Sequence, residues 1–283
     1  MNIKVIVANH KPGMIINDGF YLPVQVGKKL SSTDLGIQGD NEGDNISELN
    51  PVLCEMTGVY WAWKNLSADY IGLCHYRRYF TLKNVNRAIS KRMNYWYTRF
   101  MGNLFHPGKY TLSAYKSQIT TFSEQDLKTH AIEFENQISC VLNNNTVDAI
   151  IPRPYKFPCA SIRQFFDILG REHVNSLCSI VKERDSILYK YLEKTLDGNE
   201  LFAANMFIFK ASIFEDYCQM VFPLLLQHID NAQKSGWCVS PLKEKCYSRI
   251  TGYMAEILTS AYILMIIKEK KQVEYVNTVF YSA

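Results

Sequence analysis

The sequence predicts an α/β domain, a single Rossmann-like sheet flanked by helices with a helical insertion. Three observations predict it. Residues 3–8 and 70–74 are short, almost wholly apolar runs, the signature of strands buried on both faces. Each run stops abruptly at polar and turn-forming residues, the first at Asn9-His10-Lys11-Pro12-Gly13 and the second at His75-Tyr76-Arg77-Arg78-Tyr79-Phe80. Strand tips of that kind are where open α/β sheets hold ligands. Between and after the runs come segments of helical periodicity, followed by two further strand patterns at 202–210 and 272–281.

The second strand tip organises the chain. It places one imidazole, two guanidinium groups and three aromatic rings within six positions, a set that is costly to bury. Adjacent arginines need partners with many acceptor oxygens, so an anionic ligand is one reading of Arg77 and Arg78. Pairing with internal carboxylates, with the rings as core, is the other.

Residues 20–26 carry Pro23 and read as an extended or edge segment. Residues 35–50 form a long polar loop rich in Gly, Asp and Asn, in which Asp40 and Asp44 match no metal motif and read as solvated turn residues. Asn50 caps and Pro51 starts a helix expected over 51–66, with Leu53, Met56, Tyr60 and Trp63 on its apolar face. The aromatic residues Trp61 and Trp63 lie at its end, where one indole is placed to line a pocket or simply to pack. Residues 83–105 hold Lys83, Arg87, Lys91, Arg92 and Arg99 with no acidic residue and many rings, a basic amphipathic composition suited to a membrane surface or to a structural cover over the pocket. Further helices are expected over 123–141, capped by Ser123, and as a pair within 162–196. A short strand over 148–154 separates them, followed by a loop at 155–158. Asn205, at the heart of the 202–210 strand, is either a satisfied core amide or a ligand for a sugar hydroxyl. An apolar helix over 214–229 is expected to be interrupted at Pro223, and 237–246 reads as a loop. Another helix then opens near Arg249, in which Glu256 is the one carboxylate among small and apolar residues. Such a carboxylate either pairs with an arginine such as Arg249 or has a raised pKa fit for general-base work.

Composition narrows the function classes. At 283 residues, 47% hydrophobic and 20% charged, the chain is an ordinary globular protein of one elaborated domain or two closely joined ones. Its eight cysteines are scattered without zinc or redox spacing, reading as reduced thiols and suggesting the cytoplasm. The first residues run straight into a strand pattern, so a secretory leader is not expected. No uninterrupted apolar stretch reaches the roughly 20 residues that span a bilayer. A net charge of +4 does not argue for nucleic acid. No Gly-x-Gly-x-x-Gly, P-loop, Gly-x-Ser-x-Gly or His-Glu-x-x-His motif is present. What remains are cations, rings, amides and isolated carboxylates. These suit transfer of a sugar from a nucleoside diphosphate, in which the leaving diphosphate needs positive charge and the acceptor hydroxyl needs a base.

A resemblance sharpens this. The ordered set His10-Lys11, 21–27, Gly43-Asp44-Asn45-Ile46-Ser47, Leu49-Asn50, Glu55-Met56-Thr57-Gly58, 60–65, 70–80, 205–208 and Gly252-Tyr253-Met254-Ala255-Glu256 resembles a bacterial family of capsular and exopolysaccharide synthesis proteins. That family was long described as a domain of unknown function and is now grouped with glycosyltransferases, some of them galactofuranosyltransferases. The resemblance implies one glycosyltransferase domain over 1–283, with a basic aromatic insertion at 83–122, and a nucleotide-sugar transferase-like sheet of the GT-A type. It implies transfer of galactofuranose or a related sugar from a UDP-sugar donor to a lipid-linked glycan, at the inner face of the cytoplasmic membrane and without nucleic acid. By the same resemblance, His10, Lys11, Asp44, Asn45, Arg77 and Arg78 are expected to bind the donor, with His75 on the pocket floor as a catalytic group; analogy with related folds makes Glu256 the expected base, and Trp63 is added to the donor side and Asn205 and Tyr253 to the acceptor side. No Asp-x-Asp follows the central strand, so no metal cofactor is expected, the arginines standing in for a divalent ion. A non-catalytic glycan- or membrane-binding protein on the same scaffold is the alternative, and a nucleotidyl-type transferase is disfavoured by the missing Gly-rich loop.

Overall fold

In the computed structural model, which describes residues 1–82, 120–143, 146–157, 161–237 and 249–281, the first apolar run becomes β1 (Ile3–Asn9), paired in parallel with β2 (Tyr21–Gln25) and β4 (Tyr70–His75). The two-residue β3 (Gln38–Gly39) extends this parallel wing beyond β2. Only Val24 and Gln25 of β2 pair with β3, so Pro23, which has no N–H to give, sits where the outer side of the strand is unpaired. The expected edge character of this segment is therefore local.

The sheet does not stay a single Rossmann-like layer. Beyond β4, β5 (Arg78–Thr81) and β10 (Phe207–Lys210) share one strand edge: β10 pairs with Tyr70 to Leu73, and β5 only through His75 with Arg78. The strand β11 (Val273–Tyr281) is divided likewise, its first half lying parallel to β7 (Ala149–Pro152) and its second half antiparallel to β5. Because β7 also pairs with β10, the pairings β4, β5, β11, β7 and β10 close on themselves, and β6 (Thr120–Phe122) adds to β11. The two-residue turn at Tyr76 and Arg77 sends β5 away from β1 and leaves most of that edge to β10. Gly72 permits the approach, since a Cβ there would lie 2.7 Å from the carbonyl oxygen of Phe207.

Alternation places a core on each face. Ile6, Ala8, Ile71, Leu73, Phe207 and Phe209 join one apolar cluster, while Val5, Val7, Tyr70, Cys74 and Ile208 join the other. Burial on both faces is why these strands read as continuous apolar runs. The second face is covered by α3 (Glu124–Asn143), whose Leu127, Ala131, Phe134, Ile138 and Leu142 recur at helical spacing and are buried. The expected cap holds it, with Ser123 Oγ accepting from the Asp126 N–H at 3.2 Å and donating to the Asp126 carboxylate at 2.6 Å. The first face is covered by α2 (Met56–Asn65), α4 (Ile162–Arg184), α5 (Ser186–Asp197), α6 (Ala211–Lys234) and α7 (Ile250–Lys268). Asp185 separates α4 from α5 and caps the latter by accepting from the N–H groups of Ile187 and Leu188. α7 is long and apolar enough to cross a membrane, and the fold spends that apolarity on its core, with most of the helix buried.

Several expectations change. The helix expected over 51–66 is broken in two, α1 (Asn50–Leu53) and α2, at Cys54, whose φ is +53°. Asn50 does not cap it; its Nδ2 donates to the Cys54 carbonyl at 2.6 Å and clamps the break. The strand expected over 202–210 begins only at Phe207, because Ala204 and Asn205 turn the chain with positive φ. α6 runs through Pro223 without interruption. Two residues of the expected 155–158 loop form β8 (Tyr155–Lys156), antiparallel to β9 (Glu200–Leu201). Of the basic insertion expected at 83–122, residues 120–122 form β6, while 83–119 and the loop residues 238–246 lie outside the described residues.

Candidate functional site

The carboxyl ends of β1 and β4 point to a cleft of about 290 Å³. Its floor is the β4–β5 turn, with His75, Tyr76, Arg77 and Arg78, and His10 stands at the tip of β1. The opposite wall is the start of α7, with Arg249, Gly252, Tyr253 and Glu256, closed by Cys54 and Glu55 at the α1–α2 break and by Phe280 near the end of β11. Gly252 lets α7 come this close, since a Cβ there would lie 3.0 Å from Cys54 Sγ.

A single backbone residue joins the two expected catalytic groups. His75 Nε2 donates to the Ala204 carbonyl at 2.7 Å, which fixes the tautomer and leaves Nδ1 as the acceptor of the neutral ring. The Ala204 N–H donates to the Glu256 carboxylate. Ala204 reaches both because it is left-handed, with φ +67°, and Asn205 follows at +52°. Asn205 is fully buried and locked: its Nδ2 donates to Glu55 Oε1 at 2.8 Å, its Oδ1 accepts from Thr259 Oγ1 at 2.9 Å, and Tyr217 hydroxyl meets Thr259 Oγ1 at 2.7 Å.

The electrostatics follow from this packing. Burial and the neighbouring Glu55 charge push the Glu256 carboxyl up to about 7, against the opposing pull of Arg78 and the Ala204 N–H. His75 is lowered by burial and by Arg78 and Arg249, with Glu55 opposing. His10, edge-on to Tyr76 at 5.1 Å between ring centroids, is lowered to about 4 by burial and by the cations Arg249 and Lys11. Burial and the Glu55 charge push the Cys54 thiol up to about 12, which argues against a nucleophilic thiolate. Arg77 Nε is buried and has no hydrogen-bond partner among the described residues, and its guanidinium lies 5.2 Å from the Tyr76 ring. The cleft thus presents cations on its floor opposite a proton acceptor poised near neutrality.

Six of the expected site residues come together here: His10, His75, Arg77, Arg78, Tyr253 and Glu256. Lys11 sits beside His10 on the exposed rim. The other four lie elsewhere. Trp63 packs flat on Phe222 at 5.7 Å and donates to Glu215, so its ring is absorbed by the α2–α6 contact. Asp44 and Asn45 belong to a loop tied to α2 by Asn65. Asn205 is the core amide of the two readings, not a wall of the cleft. Asp40 is no solvated turn residue: fully buried, it accepts from the Gly27 and Lys28 N–H groups and from the Ser47 and Thr57 hydroxyls. Glu256 faces Arg78 and Glu55 in place of the suggested Arg249, which instead interacts with Cys54. Glu55 and Phe280 lie outside the expected site residues, although Glu55 carries the same signal as Glu256, a lone carboxylate within an apolar segment. Among the described residues no group of three His, Cys, Asp or Glu side chains is arranged to hold a metal ion.

The model of a family described as a domain of unknown function, DUF4422, matches residues 4–271. Among solved structures, the apo form of the WbbM bifunctional glycosyltransferase superposes with a TM-score of 0.78 at 22% identity, covering 100% of this chain and 46% of that one. The chain therefore spans about half the length of that protein, and the likeness is one of fold, a mixed α/β sheet with flanking helices. No curated protein matches.

Proposed function

Since the chain belongs to the DUF4422 family and carries a fold similar to part of a glycosyltransferase, we propose that it is a glycosyltransferase of the GT-A type acting on a UDP-sugar. The observation that carries this reading is that Glu256 and the guanidinium groups of Arg77 and Arg78 share one cleft. An acceptor hydroxyl gives its proton to Glu256 while its oxygen bonds to the anomeric carbon. The bond from that carbon to the diphosphate breaks, and the electron pair leaves on UDP, whose added charge the arginines stabilise. Tyr253 and Phe280 offer ring faces to a sugar at the cleft wall. Galactofuranose as the sugar, a lipid-linked glycan of capsule, exopolysaccharide or O-antigen synthesis as the acceptor, and work at the inner face of the cytoplasmic membrane are supported by the resemblance to polysaccharide synthesis proteins.

The test is binding and turnover of a panel of UDP-sugars, including galactose in furanose and pyranose forms, by the wild type and Arg77→Ala. Turnover of one donor, reduced about a hundredfold or more in the variant, supports the reading and names the sugar. No binding of any donor defeats it in favour of a non-catalytic glycan- or membrane-binding protein.

A further inference from the structure

Glu55 is the carboxylate of the cleft to which the proposed reaction gives no part, yet it stands at the centre of the cleft's charge. His10, His75, Cys54, Arg249 and Glu256 all feel it. Its place is built rather than incidental. The chain breaks a helix at Cys54 to present it, and Asn205, fully buried and left-handed, spends its amide on Glu55 Oε1 at 2.8 Å. Thr259 in turn donates to the oxygen of that amide, and Tyr217 holds the Thr259 hydroxyl. An amide anchored on a core helix hydroxyl orients a carboxylate far better than solvent does.

Resting on the transferase reading, we propose that Glu55 is a positioning residue for the proton acceptor: Asn205 fixes its carboxylate in the cleft that Glu256 also lines, and its negative charge holds Glu256 ready to take the proton that the acceptor hydroxyl gives up. A like charge nearby disfavours ionisation, so the Glu55 charge makes Glu256 a stronger base. The groups that face Glu256 are Glu55 from the α1–α2 break, Arg78 from β5 and the Ala204 N–H ahead of β10. The other titratable and charged groups of the cleft are His10 at the tip of β1, Cys54 at the α1–α2 break, His75, Tyr76 and Arg77 at the β4–β5 turn, and Arg249 and Tyr253 at the start of α7. Arg78 and the N–H favour the charged form of Glu256, which leaves Glu55 as the neighbouring charge that opposes ionisation.

The test is a carbon-13 NMR titration of glutamate carboxyls, with the Glu256 signal identified by its loss in Glu256→Gln. The wild-type midpoint is expected near 7. In Glu55→Gln, which keeps an oxygen for Asn205, it falls by about one unit or more, and Glu55→Asp restores part of the shift. A midpoint unmoved by Glu55→Gln overturns the proposal. Where Glu55→Gln does not fold, Glu55→Asp, whose shorter side chain draws the charge back, decides instead: a midpoint left at the wild-type value overturns the proposal equally. These titrations need no substrate, so a wild type that turns over no donor defeats the transferase reading separately. With turnover in hand, the acid limb of the kcat/KM profile moves to lower pH in Glu55→Gln.

Discussion

His75 donates through Nε2 to the carbonyl oxygen of Ala204 at 2.7 Å, across 129 residues of chain. The contact exists because Ala204 adopts a left-handed conformation that turns its carbonyl to the central strand and its N–H to Glu256. A non-glycine residue in that conformation costs about 1 kcal/mol, here held by the packing of Asn205 beside it.

Ala204→Gly is therefore expected to stay within about 1 kcal/mol of wild type, because glycine adopts the same backbone without strain. Ala204→Val, whose branched side chain resists positive φ at a buried site, should lose about 2 kcal/mol or more. Urea unfolding of the two variants measures both, and equal losses would refute the strain.

Glu256 links stability to pH. Its folded pKa is raised from 4.5 to about 7, so folding favours the protonated form. That stabilisation is complete below 4.5 and is lost as pH rises through about 7. At about 1.4 kcal/mol per unit the loss is at most ~3 kcal/mol, less where cleft water screens the charge. Glu256→Gln, which cannot ionise, should gain on the wild type by up to that amount between pH 4.5 and pH 8 in thermal or urea unfolding, while losing transfer activity. A stability difference constant across that range contradicts the buried charge.

Arg77 and Arg78 are expected to take the role of a divalent ion on the diphosphate. Donor turnover should survive excess chelator and fall with added salt, which screens guanidinium–phosphate attraction. Activity abolished by chelator and restored by manganese would sink the proposal.

Asp40 tests the scaffold apart from the chemistry. Four donors converge on its buried carboxylate, two backbone N–H groups and two hydroxyls, tying the β2 end to the start of α2. Asp40→Ala leaves those donors unpaired and should cost about 3 kcal/mol or more in chemical denaturation. A loss under about 1 kcal/mol would mean that water replaces the carboxylate.

Much of this was legible along the chain. The continuous apolar runs of β1 and β4, the cap at Ser123, the helix carrying Glu256 and the cationic turn after His75 are all local patterns, because apolar runs, helix period and capping depend on neighbours within a few residues. What the sequence alone determined is thus the α/β class and the cationic strand tip that lines the cleft. Only the tertiary structure decided that the pairings close through β10 and β11, that the 51–66 helix breaks at Cys54, and that Trp63 and Asn205 belong to packing. It also brought Glu55 and Glu256, which are far apart in sequence, into one cleft, with the buried Ala204 behind it. Those outcomes turn on contacts between distant segments, in which a left-handed residue, a missing Cβ at Gly252 or a buried amide has no periodic trace; the side chains they assemble acquire their meaning from burial and from the charges around them.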